Sequence, residues 1–168
     1  AWAYVDGLGR TRLVLTEADP SAGDEGGWVA SGLTTYDAKG AAARAYRAWF
    51  YTGAPEAYPL GQPPPAAYGR QRYDAFGRSL TSYHLDGSVT KKTVYHALST
   101  DVFDALDLLP GPHQGTYASE RHDGHGRPVV TTERIREKGK IETRETRTSY
   151  LPTGVAERIE RVRPATGE

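Results

Sequence analysis

Tyr73-Asp-Ala-Phe-Gly-Arg78 decides the reading of this chain, because the sequence writes the same phrase four times with variations. The others are Tyr4-Val-Asp-Gly-Leu-Gly-Arg10, Tyr36-Asp-Ala-Lys-Gly40 and His122-Asp-Gly-His-Gly-Arg127. Each has a ring near an aspartate and a glycine three residues past it. Arginine follows at Arg10, Arg78 and Arg127, whereas Ala41 follows Gly40. An aspartate side chain accepts hydrogen bonds from its own backbone two residues on, and glycine reaches positive φ without steric penalty. Asp-x-x-Gly therefore closes a chain reversal, here at Asp6/Gly9, Asp37/Gly40, Asp74/Gly77 and Asp123/Gly126.

The residues after each turn extend the argument. Thr11 to Thr16, Ser79 to His84 and Pro128 to Glu133 are rich in branched and hydroxyl residues, which suit a pleated, half-exposed surface. The unit reads as strand, turn, strand. Asp6, Asp37, Asp74 and Asp123 are 31, 37 and 49 residues apart, so the connections vary and no regular solenoid is implied. The expected fold class is all-β: irregular repeated antiparallel hairpins in a curved or twisted sheet, with one short helix near 101–109.

Composition agrees with thin layers. Of 168 residues, 38% are apolar or aromatic, and 11 tyrosines outnumber 3 phenylalanines. Tyrosine buries a ring while its hydroxyl stays wet, as a one-sided sheet requires. Lys and Arg balance Asp and Glu at 21 each, which removes any global electrostatic case for nucleic acid or an anionic membrane. From Arg121 onward 11 bases mix with 8 acids and no aromatic platforms interleave with them, so a solvated strand face is expected rather than a nucleic-acid groove. Cysteine is absent, which excludes disulfides, zinc thiolates and thiol nucleophiles. No apolar run approaches the roughly 18 to 20 residues of a membrane helix. Methionine is also absent, and Ala1 to Tyr4 reads as the middle of a strand. The expectation is one repeat-bearing β region over 1–168, cut from a longer chain.

Local patterns fill in the connections. Leu13 and Leu15 share a strand face opposite Val14, and residues 19–27 form a loop by composition. Ala41 to Tyr51 suits a helix by alanine content, but its start directly after a turn and its aromatic end favour a strand. The proline-rich stretch 52–69 argues against a regular element and reads as a surface crossing pinned by Tyr51, Tyr58 and Tyr68. Residues 79–84 and 88–95 flank a turn at Leu85-Asp-Gly87, and Arg134 to Tyr150 makes another hairpin reversing at Glu137 to Lys140. Thr100 to Leu109 is the helical candidate: Val102, Leu106 and Leu109 fall at helical spacing, Thr100 or Asp101 caps it, and Pro110-Gly111 stops it. Leu151-Pro-Thr-Gly154 turns the chain before a last strand, and Pro164 to Gly167 reads as a loop leading onward.

Chemistry is sparse. Ser82, His84 and Asp86 sit at alternate positions without a nucleophile elbow, and give no route to a hydrolytic triad. His122, Asp123 and His125 hold ligand-capable groups in one turn, but His122 also occupies the ring position that Tyr36 and Tyr73 take elsewhere. Asp101, Asp104 and Asp107 would form an acidic helix stripe without the glycine and glutamate of a calcium-binding hand. Arg10, Arg78 and Arg127 are expected to lie along the next strand and donate to a nearby carboxylate or turn carbonyl. The expected site inventory contains no catalytic, cofactor-binding or metal-binding residue, only structural turns.

These turns resemble the tyrosine-aspartate repeat superfamily, also called rearrangement-hotspot repeats; Tyr73-Asp-Ala-Phe-Gly-Arg78 is the nearest match to its Tyr-Asp-x-x-Gly-Arg phrase. Tyr4 is displaced by one residue and His122 replaces tyrosine. Asp101 through Arg127, with Asp104, Gly115-Thr-Tyr117 and the fourth turn, further resembles the repeat-bearing B components of bacterial insecticidal toxin complexes and the related plasmid-virulence proteins. The resemblance implies a secreted or surface-associated bacterial shell, wound from β-hairpins, that encloses or delivers a toxic passenger and performs no catalysis in this region. It implies flanking shell segments or toxin-complex subunits as partners, a protein passenger inside, and self-association through sheet edges when isolated. No cofactor, no nucleic-acid partner and no membrane span are expected. A carbohydrate- or protein-binding surface module is the alternative, and a small hydrolase a distant third.

Overall fold

The structure is a computed structural model that describes residues 1–163, and the loop expected at Pro164 to Gly167 lies outside them. The chain divides into two compact units, Ala1–Ser88 and Val89 onward. Almost all ordered structure is antiparallel β, arranged as irregular hairpins with one short helix.

In the first unit the strands are β1 (Trp2–Val5), β2 (Thr11–Glu17), β3 (Trp28–Ser31), β4 (Thr34–Tyr36), β5 (Ala42–Tyr46), β6 (Trp49–Tyr51), β7 (Tyr68–Tyr73) and β8 (Ser79–Tyr83). One sheet runs β1-β2-β3-β6 and a second runs β4-β5-β7-β8. Period-two alternation sends Leu13 and Leu15 to the same side, and both are fully buried while Val14 is half-buried. With Ala30, Leu33 and Tyr58 they form the core, ringed by Tyr4, Trp28, Tyr46, Trp49 and Tyr51. Burying each leucine contributes about 1.5–3 kcal/mol.

The expected strand over 41–51 is two strands. β5 pairs with β7 and β6 with β3, so the chain changes sheets at Arg47 and Ala48. The proline-rich crossing that follows holds a single 3-10 turn at Pro55–Ala57. It is fastened from below. The Tyr4 hydroxyl donates to the Pro55 carbonyl and accepts from the Tyr58 N–H, so the displaced first tyrosine serves the core.

The second unit is a sequential antiparallel meander: β9 (Val89–Tyr95), β10 (Ser99–Asp104), β11 (Ala118–His122), β12 (Pro128–Glu137), β13 (Lys140–Tyr150) and β14 (Ala156–Val162). Lys138 and Gly139 both take positive φ, 50° and 81°, in the two-residue turn between β12 and β13. Such turns match the right-handed twist of the strands they join. Among the described residues of this unit no apolar side chain is buried, and Thr93 is the one buried polar residue.

The helix is shorter than its hydrophobic spacing implies. Residues 99–104 belong to β10, and α1 covers only Ala105–Leu108. Cross-strand bonding to β9 and β11 overrides the periodicity, so Val102 faces sheet neighbours. The cap is Asp104, in a reciprocal box: Asp104 Oδ1 accepts from the Asp107 N–H at 2.9 Å, and Asp107 Oδ2 from the Asp104 N–H at 2.8 Å. Asp101 lies back in the strand, so the predicted acidic stripe does not form.

Candidate functional site: six equivalent turns

Six segments share one backbone frame: 6–10, 37–41, 74–78, 84–88, 123–127 and 151–155. In chain order, the first residue's N–H donates to the fifth residue's carbonyl at 2.9, 2.8, 3.0, 2.8, 2.9 and 2.9 Å. The fourth residue's N–H returns to the first carbonyl at 3.0, 3.0, 3.1, 3.0, 3.0 and 2.8 Å. The fourth residue is always glycine, at φ 77°, 81°, 82°, 84°, 78° and 87° for Gly9, Gly40, Gly77, Gly87, Gly126 and Gly154. An alanine there would enter the left-handed region that costs L-residues about 1–2 kcal/mol.

The aspartate adds a second layer. Oδ1 of Asp6, Asp37, Asp74 and Asp123 accepts from the third residue's N–H at 2.9, 2.9, 2.8 and 2.9 Å. The same oxygen accepts from the fifth residue's N–H at 3.0, 2.9, 2.9 and 3.0 Å. Where the fifth residue is arginine, its Nε donates to Oδ2 at 2.8, 2.7 and 2.8 Å for Arg10, Arg78 and Arg127. The carboxylates respond. Asp6 falls below its ordinary value, chiefly through the Arg10 side chain. Asp74 is pushed up by desolvation, yet ends low because Arg78 donates from backbone and side chain. Asp123 is held at about 2 by the backbone and side-chain donors of Arg127.

The strands enter these turns with a common irregularity. Register shifts occur at Tyr4/Val5, Thr35/Tyr36, Arg72/Tyr73, Arg121/His122 and Ser149/Tyr150, each just before the turn. One residue on the returning strand is left over, a bulge that sharpens local twist.

Within each unit, rings and arginines connect some of these turns to the next. The Arg10 guanidinium carbon lies 4.0 Å from the Tyr36 ring centre, and that of Arg127 4.7 Å from the Tyr150 ring centre. The Tyr73 hydroxyl donates to the Ala42 carbonyl at 3.0 Å, and the Tyr150 hydroxyl to the Pro128 carbonyl at 2.8 Å. Ala42 and Pro128 hold the same place, directly after the preceding turn. Where Ala41 replaces arginine, Lys39 Nζ donates to the Ala75 carbonyl of the next turn. Each arginine thus closes its own turn, and Arg10 and Arg127 also cover the next ring.

Two of the six, 84–88 and 151–155, escape the aspartate pattern because His84 and Leu151 stand first. The sequence signal that includes them is a ring four residues before glycine: Tyr36/Gly40, Tyr73/Gly77, Tyr83/Gly87, His122/Gly126 and Tyr150/Gly154. In the turn at 84–88 the carboxylate sits at the third position instead, and Asp86 Oδ1 accepts from the Ser88 N–H and hydroxyl at 2.8 and 2.6 Å.

Other ligand-capable groups are engaged in structure. His122 Nε2 faces Glu120 Oε1 at 3.1 Å, and Asp123 is occupied by Arg127. No group of three or more His, Asp or Glu suited to a metal ion occurs among the described residues. Ser82 Oγ donates to Gln71 Oε1 at 2.9 Å, and Asp86 Oδ1, which takes the Ser88 donors, stands 3.6 Å from His84 Nδ1. Asp101 binds Ser119 Oγ at 2.6 Å and His96 Nε2 at 3.1 Å, and lies below its ordinary value although burial opposes this.

No known family profile matches the sequence, and no curated protein matches it. Solved structures do match the fold. A crystal structure of TcdB2-TccC3 superposes with a TM-score of 0.73 at 21% identity, over 94% of this chain and 9% of that one. A TcdB2-TccC3-Cdc42 crystal structure gives 0.70 at 20%, over 94% and 9%. A Photorhabdus luminescens Tc holotoxin pore gives 0.70 at 21%, over 94% and 8%. The likeness is one of fold, and this chain spans under a tenth of the chains it resembles.

Proposed function

We propose that the chain is a wall segment of a β-shell of the tyrosine-aspartate repeat kind, within a bacterial secreted or surface-associated toxin assembly, and that it encloses or helps deliver a protein passenger without catalysis of its own. The observation that carries this reading is the set of equivalent turns, stitched to neighbours within each unit, in a fold that matches toxin-complex chains over 94% of its length. A turn that fastens its neighbour is a device for adding hairpins to a sheet. An isolated hairpin is marginal in water, and stability comes from the next one. Flanking strands of the same shell are the first partners, and the passenger the second. Metal binding by His122, Asp123 and His125 has no role in this proposal.

Electron microscopy of the full protein that carries this segment tests the reading. A hollow particle with residues 1–163 in its wall is expected; a solid particle without an interior overturns it. A compact scattering monomer with covered edges from the isolated segment also counts against it. The rival surface-binding module draws on one feature, the shallow depression where Trp49, Tyr51 and Tyr58 meet Pro63 to Pro65. Saturable glycan binding that disappears on Trp49→Ala, together with no hollow particle, would favour that rival.

A further inference from the structure

The four strands β4, β5, β7 and β8 contain three arginines, five tyrosines and no acidic residue. Register places most of them on one face. Tyr46 lies opposite Tyr68, Arg44 opposite Arg70, Arg70 opposite Tyr83 and Arg72 opposite Thr81. The rings are half-buried and the three arginines exposed. Arg44 lies 4.9 Å from the Tyr68 ring centre and Arg70 4.0 Å from that of Tyr83. The Tyr83 hydroxyl is held below its usual range first by a hydrogen bond from Arg72. Directly opposed like charges destabilise a sheet pair, and nothing on these strands neutralises Arg44 and Arg70. The nearby turn carboxylates serve their own turns: Asp37 its backbone, Asp74 Arg78, and Asp86 Ser88 and His84.

We propose that this face is a docking surface for an extended acidic polypeptide segment. Charge complementarity selects an anion, since three guanidiniums stand outward without a carboxylate partner on their strands. The rings beneath hold the guanidiniums in place, which lowers the ordering cost of binding. Alternate residues of an extended chain repeat at about 6.6 Å, the same interval that separates Arg70 from Arg72 along β7. Carboxylates at every second position therefore meet successive guanidiniums. Single-stranded nucleic acid is the poorer fit, because its bases need open rings to stack on and the Tyr83 ring is already covered by Arg70. The inference does not rest on the shell reading.

The test is fluorescence anisotropy with the full chain and a labelled peptide of alternating glutamate and serine, with the lysine counterpart and oligothymidylate as comparators. The acidic peptide is expected to bind at low salt and to weaken as salt is added. The triple variant Arg44→Gln, Arg70→Gln, Arg72→Gln should lose about tenfold or more in affinity. The triple variant Arg144→Gln, Arg161→Gln, Arg163→Gln removes the same charge from exposed positions on and just after strands elsewhere, and should stay within about twofold. Hydrogen exchange on the unmodified chain gives a readout free of variant folding: the peptide should slow exchange in 68–73. Absence of binding, equal loss in both triples, tighter binding of oligothymidylate, or protection confined to other strands each overturns the proposal.

Discussion

Gly124 and Gly126 occupy the same turn, and an alanine Cβ at either position meets nothing within 4 Å. They differ in backbone: Gly126 sits at φ 78°, whereas Gly124 is not among the positive-φ glycines. Packing is therefore removed from the comparison. Gly126→Ala should cost about 1–2 kcal/mol from left-handed strain. Gly124→Ala should be neutral or stabilise by about 0.4–1 kcal/mol, because alanine restricts the unfolded chain. The equivalent second position supports this, since Ala38, Ala75, Leu85 and Pro152 fill it in other turns. The gap of about 2 kcal/mol, at a urea m-value of about 2 kcal/mol/M, separates the midpoints by about 1 M. Urea unfolding with unchanged m-values measures it, and Gly126→Asn should fall between the two because asparagine tolerates the left-handed region. Equal destabilisation by both alanines would sink the claim that the fourth-position glycine sets the frame.

Asp123, held at about 2 against an ordinary 3.8, contributes stability that is complete above the unfolded value and lost as pH falls through the folded one. A carboxyl-carbon NMR titration should find its midpoint near that value, and Arg127→Gln should raise it; a native midpoint near 3.8 contradicts the assignment. Tyr150→Phe removes the hydroxyl that bonds the Pro128 carbonyl at 2.8 Å but keeps the ring under Arg127, and should cost about 0.5–1 kcal/mol by denaturation, with Tyr150→Ala costing more. Leu15→Ala empties a fully buried position and should cost about 2–5 kcal/mol in the same assay. Asp104→Ala breaks the capping box and should cost about 0.5–2 kcal/mol, with faster amide exchange at Asp107.

The turns and most strands were legible because their chemistry is local. Asp-x-x-Gly needs only four residues to state a reversal, and Leu13 and Leu15 need only alternation to state a buried face. What failed was decided at a distance. Val102, Leu106 and Leu109 carry a helical period, yet Val102 pairs with Thr93 and Ala118, and those ladder bonds outweigh a spacing that only a buried helix face would reward. Ala41 to Tyr51 looks continuous, but β3 and β7 claim its two ends for different sheets. The Arg44, Arg70 and Arg72 face was invisible because interleaving of bases with rings arises across strands, whereas the sequence separates Arg44 from Arg70 by the whole proline-rich crossing.

His84 and Leu151 settle what each part of the repeated phrase does. Both turns keep the two backbone bonds and the positive-φ glycine, so the reversal does not require an aspartate in first place. Aspartate and arginine must then answer a different requirement, and the contacts between turns supply it. In the second unit no described apolar side chain is buried, so backbone ladders of modest net worth and connections between neighbouring hairpins carry the order. Arg127 does both at once, neutralising Asp123 and covering Tyr150, while Tyr150 reaches back to Pro128. Stability in such a sheet is close to a sum over nearest neighbours, as in other repeat arrays. The last described strand, β14, has no further hairpin on its outer side among the described residues; Ile159 on it and Val155 just before it are exposed. By the same nearest-neighbour logic a further hairpin that supplied a ring beyond the turn at 151–155 would stabilise β14 most, whereas one added without that ring would gain only ladder bonds.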